Sequence, residues 1–338
     1  MTADRNVHYD ILRALGIISI VVGHICPIEH AVIFVYGYHV ALFFYITGAL
    51  FNEEKHALHP VRFVLGKLKA LWLPYVLYNL MFTAVRLVLV GGTPMSELPV
   101  MLLRRVCFLD TDPFAGPMWF IPFMFLALLV FEGFAFLSAL VFKSKLRRTV
   151  SLAVLCAAAG AVGMWLCYKW LPTPFHLKTC ALMLPVLAVG YLVRLWGIAP
   201  EKLFKWWAAL PCLAVLILLN NVLIFRIDLA TDHFGKWWSF YISTFCGVYV
   251  MGTLAVLISR LAPLASAFAF IGRYSFDIMA IHYSICYLFS HTLGFGDSPV
   301  LWLVPFALSF AVPPIFRMMC AFLWKQIKKL FVRKANAA

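Results

Sequence analysis

Arg13 and His24 stand eleven residues apart in a stretch, "YDILRALGIISIVVGHICPIEH" (9–30), that is otherwise almost entirely apolar. At 1.5 Å and 100° per residue, that separation is roughly 16 Å of rise and three turns plus about 20°, so on a helix the two share a face. Asp10, one turn before Arg13, lies near the same face. A guanidinium binds carboxylates and phosphates, and an imidazole takes and returns a proton near neutral pH. Two readings fit the spacing. In one, the stripe faces inward and does chemistry; in the other, Arg13 snorkels to an interface beside Asp10 and His24 only packs against a neighbouring helix. Arg86, Arg273, Arg317, His39, Glu132, Asp277 and His282 are also embedded in apolar runs. An ionisable group in a membrane span costs about 2.5–3.5 kcal/mol or more unless it faces protein or a watery cavity, which makes each a candidate functional residue.

The surrounding elements follow from composition. Of 338 residues, 64% are hydrophobic and 12% charged, and the mean hydropathy is +0.93, far from a soluble domain. Taking about 20 residues per crossing predicts ten spans, at 9–27, 32–51, 68–90, 118–141, 149–170, 177–196, 206–226, 237–259, 269–291 and 299–324. The expectation is an all-α integral membrane protein of about ten transmembrane helices in a single bundle. It would form one domain over 1–338, with spans over about 9–324 and a short basic tail at 325–338. Lys and Arg favour one set of flanks by about three to one, which puts both termini in the cytoplasm. Tryptophans in "KWLPTP", "EKLFKWW" and "GKWWSF" mark span ends. The net charge of +14 lies in these short loops, so it reads as topology and excludes a nucleic-acid partner. Nine cysteines are scattered singly, with no CxxC pair and no metal-ligand spacing. The first apolar run has no convincing cleavage site and is expected to stay as the first helix. The stretch 91–117 is expected to cap a cavity on the outer face, with a short apolar piece dipping back into the membrane.

Several motifs in order carry a resemblance. Arginine, ten residues, then histidine in the first span is similar to the signature of membrane acyltransferase family 3. "YHVALFFYITGALF" (38–51) resembles that family's second-span pattern in the branch related to fucose 4-O-acetylases. "KLKALWLPY" (67–75), "GPMWFIPFMF" (116–125), "LPVLAVGYLVR" (184–194) and "IGRYSFDIMAIHYSI" (271–285) resemble later elements, the last matching a "GxxSxxIMxxH" pattern. The matches run from residue 9 to about 285. Thr47 replaces the usual serine, Val40–Ala41 the usual Met-Pro, and Lys67 and Lys69 lie where arginine is common.

The resemblance implies an integral-membrane O-acyltransferase of the plasma (inner) membrane. It would move an acetyl group from acetyl-CoA, the donor substrate, to a hydroxyl of a cell-surface or lipid-linked carbohydrate such as an exopolysaccharide or O-antigen. Such transfer needs a base for the hydroxyl proton and donors for the oxyanion. His24 suits the base and matches the family's essential histidine, with Arg13 as its catalytic companion. Arg13, Lys67 and Lys69 form a basic cluster suited to coenzyme A phosphates, although for the two lysines ordinary positive-inside charge fits as well. His39 is a candidate for the acceptor pocket, as are Glu132, Trp119 and His282. Glu132 would pair with Arg86 or orient His24; Trp119 would stack on a sugar or anchor at the interface. His282 would touch substrate or bond a neighbouring helix. Arg273 and Asp277, at i and i+4, are expected to form a buried pair, and Arg317 to tie down the last helix. Membrane lipid and separate polysaccharide-assembly proteins are the expected partners; no metal is expected. Without the resemblance, the same buried charges would suit a transporter or flippase for a sugar-containing solute.

Overall fold

The computed structural model describes residues 6–53, 59–89, 94–171, 173, 176–289, 293, 298 and 300–335. Hydrocarbon offers backbone groups no partner, so the apolar runs close their hydrogen bonds internally as helices. Helix α1 (Val7–Ile25) starts where the Asn6 side chain accepts from the His8 N–H at 3.0 Å. Helices α2 (Glu29–Tyr36) and α3 (His39–Ala49) form one span broken at residues 37–38. Helix α4 (Pro60–Lys67) passes through a wide turn, Leu68–Trp72, into α5 (Leu73–Leu89). Then come α6 (Leu98–Val106), a tight helical turn (Pro113–Trp119) and α7 (Phe120–Val141). They are followed by α8 (Lys145–Tyr168), α9 (Leu177–Leu195), α10 (Pro200–Leu203) and α11 (Trp206–Ile217), which continues through a wide turn to Val222. A two-stranded antiparallel hairpin, β1 (Ile227–Asp228) and β2 (His233–Phe234), leads to α12 (Trp237–Ser259). Helices α13 (Ala262–Arg273), α14 (Ser275–Tyr287) and α15 (Leu303–Ala335) complete the described chain.

Among the described residues, eight helices are long and apolar enough to cross a membrane, or nine with a bent pair taken as one span. The molecule is an all-α multi-pass membrane protein. Each of the ten expected spans corresponds to an apolar helical segment, and two depart from expectation. The expected span 206–226 is the shorter helix Trp206–Val222. The expected span 269–291 is two helices, α13 and α14, bent by 74°. The expected tail 325–338 is not separate, because α15 runs on to Ala335; residues 336–338 lie outside the described residues.

Helix α1 is central and packs against α2, α3, α12, α13 and α14. Helix α9 packs against α8 and crosses α3 closely. At that crossing a Cβ on Gly48 would strike the Leu187 carbonyl, and one on Gly190 the Tyr45 carbonyl, so two glycines set the approach. Just before the 74° bend, Gly272 rests on the Asp10 carbonyl of α1, leaving no room for a side chain. The helix breaks at Tyr274 (φ −100°, ψ 11°).

That bend overturns the expected Arg273–Asp277 pair. It falls between the two residues and destroys the i, i+4 geometry. Arg273 instead lies 5.9 Å from the Phe270 ring. The Asp277 carboxylate accepts from Nη1 of Arg317 at 3.1 and 2.9 Å and from the Tyr78 hydroxyl at 2.7 Å, joining α14 to α15 and α5. Arg317 thus ties down the last helix, as expected.

A second buried network fixes the stretch after α5. Asp112, fully buried, pairs with Arg105 at 2.9 Å and with Arg86 at 3.3 Å, while its N–H donates to Asn79 Oδ1 at 2.7 Å. The Tyr75 hydroxyl donates to the Asp110 carbonyl at 2.6 Å. Arg86 is therefore engaged by Asp112 and is not the partner of Glu132. Removing one member of a buried pair strands the other charge. Asp112→Ala is expected to destabilise the protein by about 3–5 kcal/mol, and Asp112→Asn by less; thermal unfolding in detergent would measure both.

Candidate active site

The ends of three helices bring three histidines together. His24 lies in the last turn of α1, His39 opens α3, and His282 lies in the second half of α14. The ring of His24 stands edge-on to His282 at 5.3 Å and to Tyr283 at 5.7 Å. His39 is close enough for its charge to act on His24, and Tyr36 covers it at 4.9 Å. Gly23 allows the Tyr36 ring to lie against α1, since a Cβ there would sit 2.8 Å from that ring.

Each imidazole faces a backbone carbonyl one turn back. His39 Nδ1 lies 2.8 Å from the Val35 oxygen, His282 Nδ1 2.8 Å from the Ile278 oxygen, and His24 Nδ1 3.4 Å from the Ile20 oxygen. A carbonyl only accepts, so in each neutral ring Nδ1 carries the proton and Nε2 keeps the lone pair. His39 and His282 are buried, whereas His24 is only partly covered. Of the three, His24 is therefore the least covered.

The tight turn Pro113–Trp119 closes over this group. Ser284 donates to the Phe114 carbonyl at 2.6 Å, and Gly116 passes so near Tyr283 that a Cβ would lie 3.2 Å from its ring. Helix α6 supplies the short apolar piece expected in 91–117; residues 91–93 of that stretch lie outside the described residues. Asp228, on β1, is close enough for its charge to act on both His39 and Tyr36.

The other expected site residues lie elsewhere. Arg13, toward the opposite end of α1, donates to Asp10 at 2.8 Å, so it does not touch the histidines. Lys67 lies 5.1 Å from the Phe63 ring, and its charge faces Glu132. Glu132 is buried with neither carboxylate oxygen hydrogen-bonded among the described residues, so it neither pairs with Arg86 nor orients His24. Lys69 is exposed in the wide turn after α4. Trp119 stacks on Phe123 at 5.8 Å and meets His176 at 5.7 Å. His176, Lys178 and Thr179 all hold Asp232 of the hairpin turn, Lys178 at 3.0 Å and Thr179 at 2.9 Å. Burial opposes ionisation of Asp232, but hydrogen bonds from His176, Lys178 and Thr179 outweigh it and hold the carboxyl at about 2.

Tyr36, Tyr283, Asp112 and Asp228 were not singled out by the sequence. Tyrosines beside apolar residues look like interface anchors, and the two aspartates sit in loops that carry no periodicity. Among the described residues, no three His, Cys, Asp or Glu side chains converge as a metal site requires.

The histidine tautomers are open to direct measurement. In ¹⁵N-histidine-labelled protein at neutral pH, His39 and His282 are expected to show a protonated Nδ1 and an unprotonated Nε2; Nε2–H resonances at either would contradict the geometry.

Comparison with known proteins gives one match. The family described as "Acyltransferase domain" matches residues 6–318. No curated protein and no solved structure matches the chain.

Proposed function

The chain belongs to this acyltransferase family, and on that premise we propose that it moves an acetyl group from acetyl-CoA to a hydroxyl of a cell-surface or lipid-linked carbohydrate, with His24 as the base. It is a membrane acyltransferase; the donor, the acceptor and the base are the proposal. The observation that carries it is the partly covered His24 at the meeting point of α1, α3 and α14, flanked by two buried histidines.

In this reading, Nε2 of His24 takes the acceptor hydroxyl proton as the oxygen attacks the thioester carbonyl. The C–S bond then breaks, and the thiolate of coenzyme A recovers the proton from the imidazolium. Tyr283, edge-on to His24, offers a phenol donor beside the developing oxyanion. His39 and His282, held through Nδ1, keep their Nε2 atoms as acceptors for neighbouring hydroxyl groups.

The donor would approach from the other end of α1. Arg13 lies roughly 16 Å of helix rise from His24, a span comparable to an extended pantetheine arm. Its guanidinium, with Lys67 and the exposed Lys69, would meet the coenzyme phosphates from the cytoplasm. The membrane would be the plasma membrane, with both termini inside, in keeping with the basic flanks.

Transfer of labelled acetyl from acetyl-CoA into the glycan fraction of membranes tests the reading. His24→Ala is expected to lower the rate by about 10²–10⁴ at equal abundance. Transfer by the variant at the wild-type rate would overturn His24 as base, and no transfer by either protein would overturn the donor and acceptor. Arg13→Ala is expected to raise KM for acetyl-CoA about tenfold or more while kcat changes little, as for a lost charge-assisted contact to phosphate.

A further inference from the structure

An amphipathic groove opens between the end of α8 and the start of α12. Its larger part, about 670 Å³, is apolar and lined by Trp165, Trp238 and Tyr241 among others. It joins a smaller, more polar pocket of about 230 Å³ bounded by Trp170, His233 and Lys236. Tyr168 and Trp237 line both parts, so the two are continuous. Joined, they fall within the usual range of small-molecule sites.

Three features set this groove apart from a row of interface tryptophans. The first is the backbone of Trp170. It holds φ at +53°, a left-handed conformation that ordinarily selects glycine after a helix, yet a bulky indole stands there and meets His233 at 5.7 Å. Second, the wall is held from below. Asp232 is fixed by Lys178 and Thr179, which fastens the hairpin turn to the start of α9.

Third, the hairpin joins the groove to the histidine cluster. His233, in the polar pocket, is the cross-strand partner of Asp228, whose charge acts on His39 and Tyr36. Paired residues on two strands lie about 4.5–5.5 Å apart. The polar pocket therefore lies against the hairpin whose other strand carries the charge that reaches His39. A second link runs from His176 to Trp119, at the end of the turn that closes over Tyr283.

We propose that this groove is the capture site for a glycolipid acceptor, with its saccharide head between Trp170 and Trp237 and its lipid chain along Trp165 and Tyr241. The apolar C–H face of a sugar ring stacks on indole, while His233 and Lys236 reach its hydroxyl groups. A hydrocarbon chain would fill the larger apolar part. The head is then held beside the hairpin whose other strand carries Asp228, the carboxylate whose charge reaches His39. Its role as acceptor site rests on the acyl-transfer reading above.

The test uses the full-length protein in nanodiscs containing a monoglucosyl lipid with a diazirine on its acyl chain. After irradiation, cross-links are expected on residues 161–168 and 237–241. Excess unlabelled glucosyl lipid should remove them, and phosphatidylglycerol with the same chains should not. Trp237→Ala and Trp170→Gly should each reduce cross-linking at least fivefold; the glycine suits the left-handed turn and removes only the ring. Equal competition by phosphatidylglycerol, cross-links spread evenly over the lipid-facing helices, or unchanged cross-linking in both variants would overturn the site. Specific cross-linking without any acetyl transfer would keep the glycolipid site and overturn the acyl-transfer reading on which its role as acceptor rests.

Discussion

The contact between Asp277 and Arg317 holds the histidine site from a distance. Asp277 lies in the first turn of α14, five residues before His282, and its carboxylate also takes the Tyr78 hydroxyl. Such a charge has no stable place in hydrocarbon alone, so α5, α14 and α15 must meet where these groups meet. Their meeting fixes the direction of α14 after the bend, and with it the approach of His282 and Tyr283 to α1. Only Asp277 of this pair is buried, so the contact adds little net stability but specifies one arrangement of helices.

The polar groups within the spans are divided among several regions. The histidines gather where α1 ends and α3 begins; Arg13 with Asp10 lies toward the other end of α1, and Lys67 faces Glu132. Aromatic rings fill the interior beside α3, with Phe44 against Phe120 and Phe123 at 5.8 and 4.8 Å. For the proposed reaction this division suits a donor and an acceptor that arrive from opposite faces. A long flexible thioester arm can cross the protein where the charged head of the donor cannot.

Short irregular pieces do as much positioning as the long helices. The turn Pro113–Trp119 is bound to α5 through Asp112 and to α14 through Ser284, so it links a structural ion-pair network to the histidines. The hairpin 227–234 carries Asp228 toward His39 on one strand, while Asp232 in its turn is held by the start of α9. Both pieces also bury apolar side chains, Ala115 and Met118 in the turn and Ile227 and Phe234 in the hairpin. Each places a few side chains whose spacing no single helix could supply.

The sequence alone determined the class of molecule, the order of its apolar segments and the shared face of Arg13 and His24, because these depend on local hydropathy and on the geometry of one helix. The family motifs were legible for the same reason: they are short and contiguous. Partner choice was decided only by the tertiary structure. Arg273 and Asp277 have helical spacing, yet the bend at Tyr274 parts them, and Asp277 takes Arg317 from forty residues away. Arg86 takes Asp112 from a loop, leaving Glu132 opposite Lys67. His24, His39 and His282 converge because three helix segments meet in space. Spacing along a chain records which residues share a face, but not which faces are brought together.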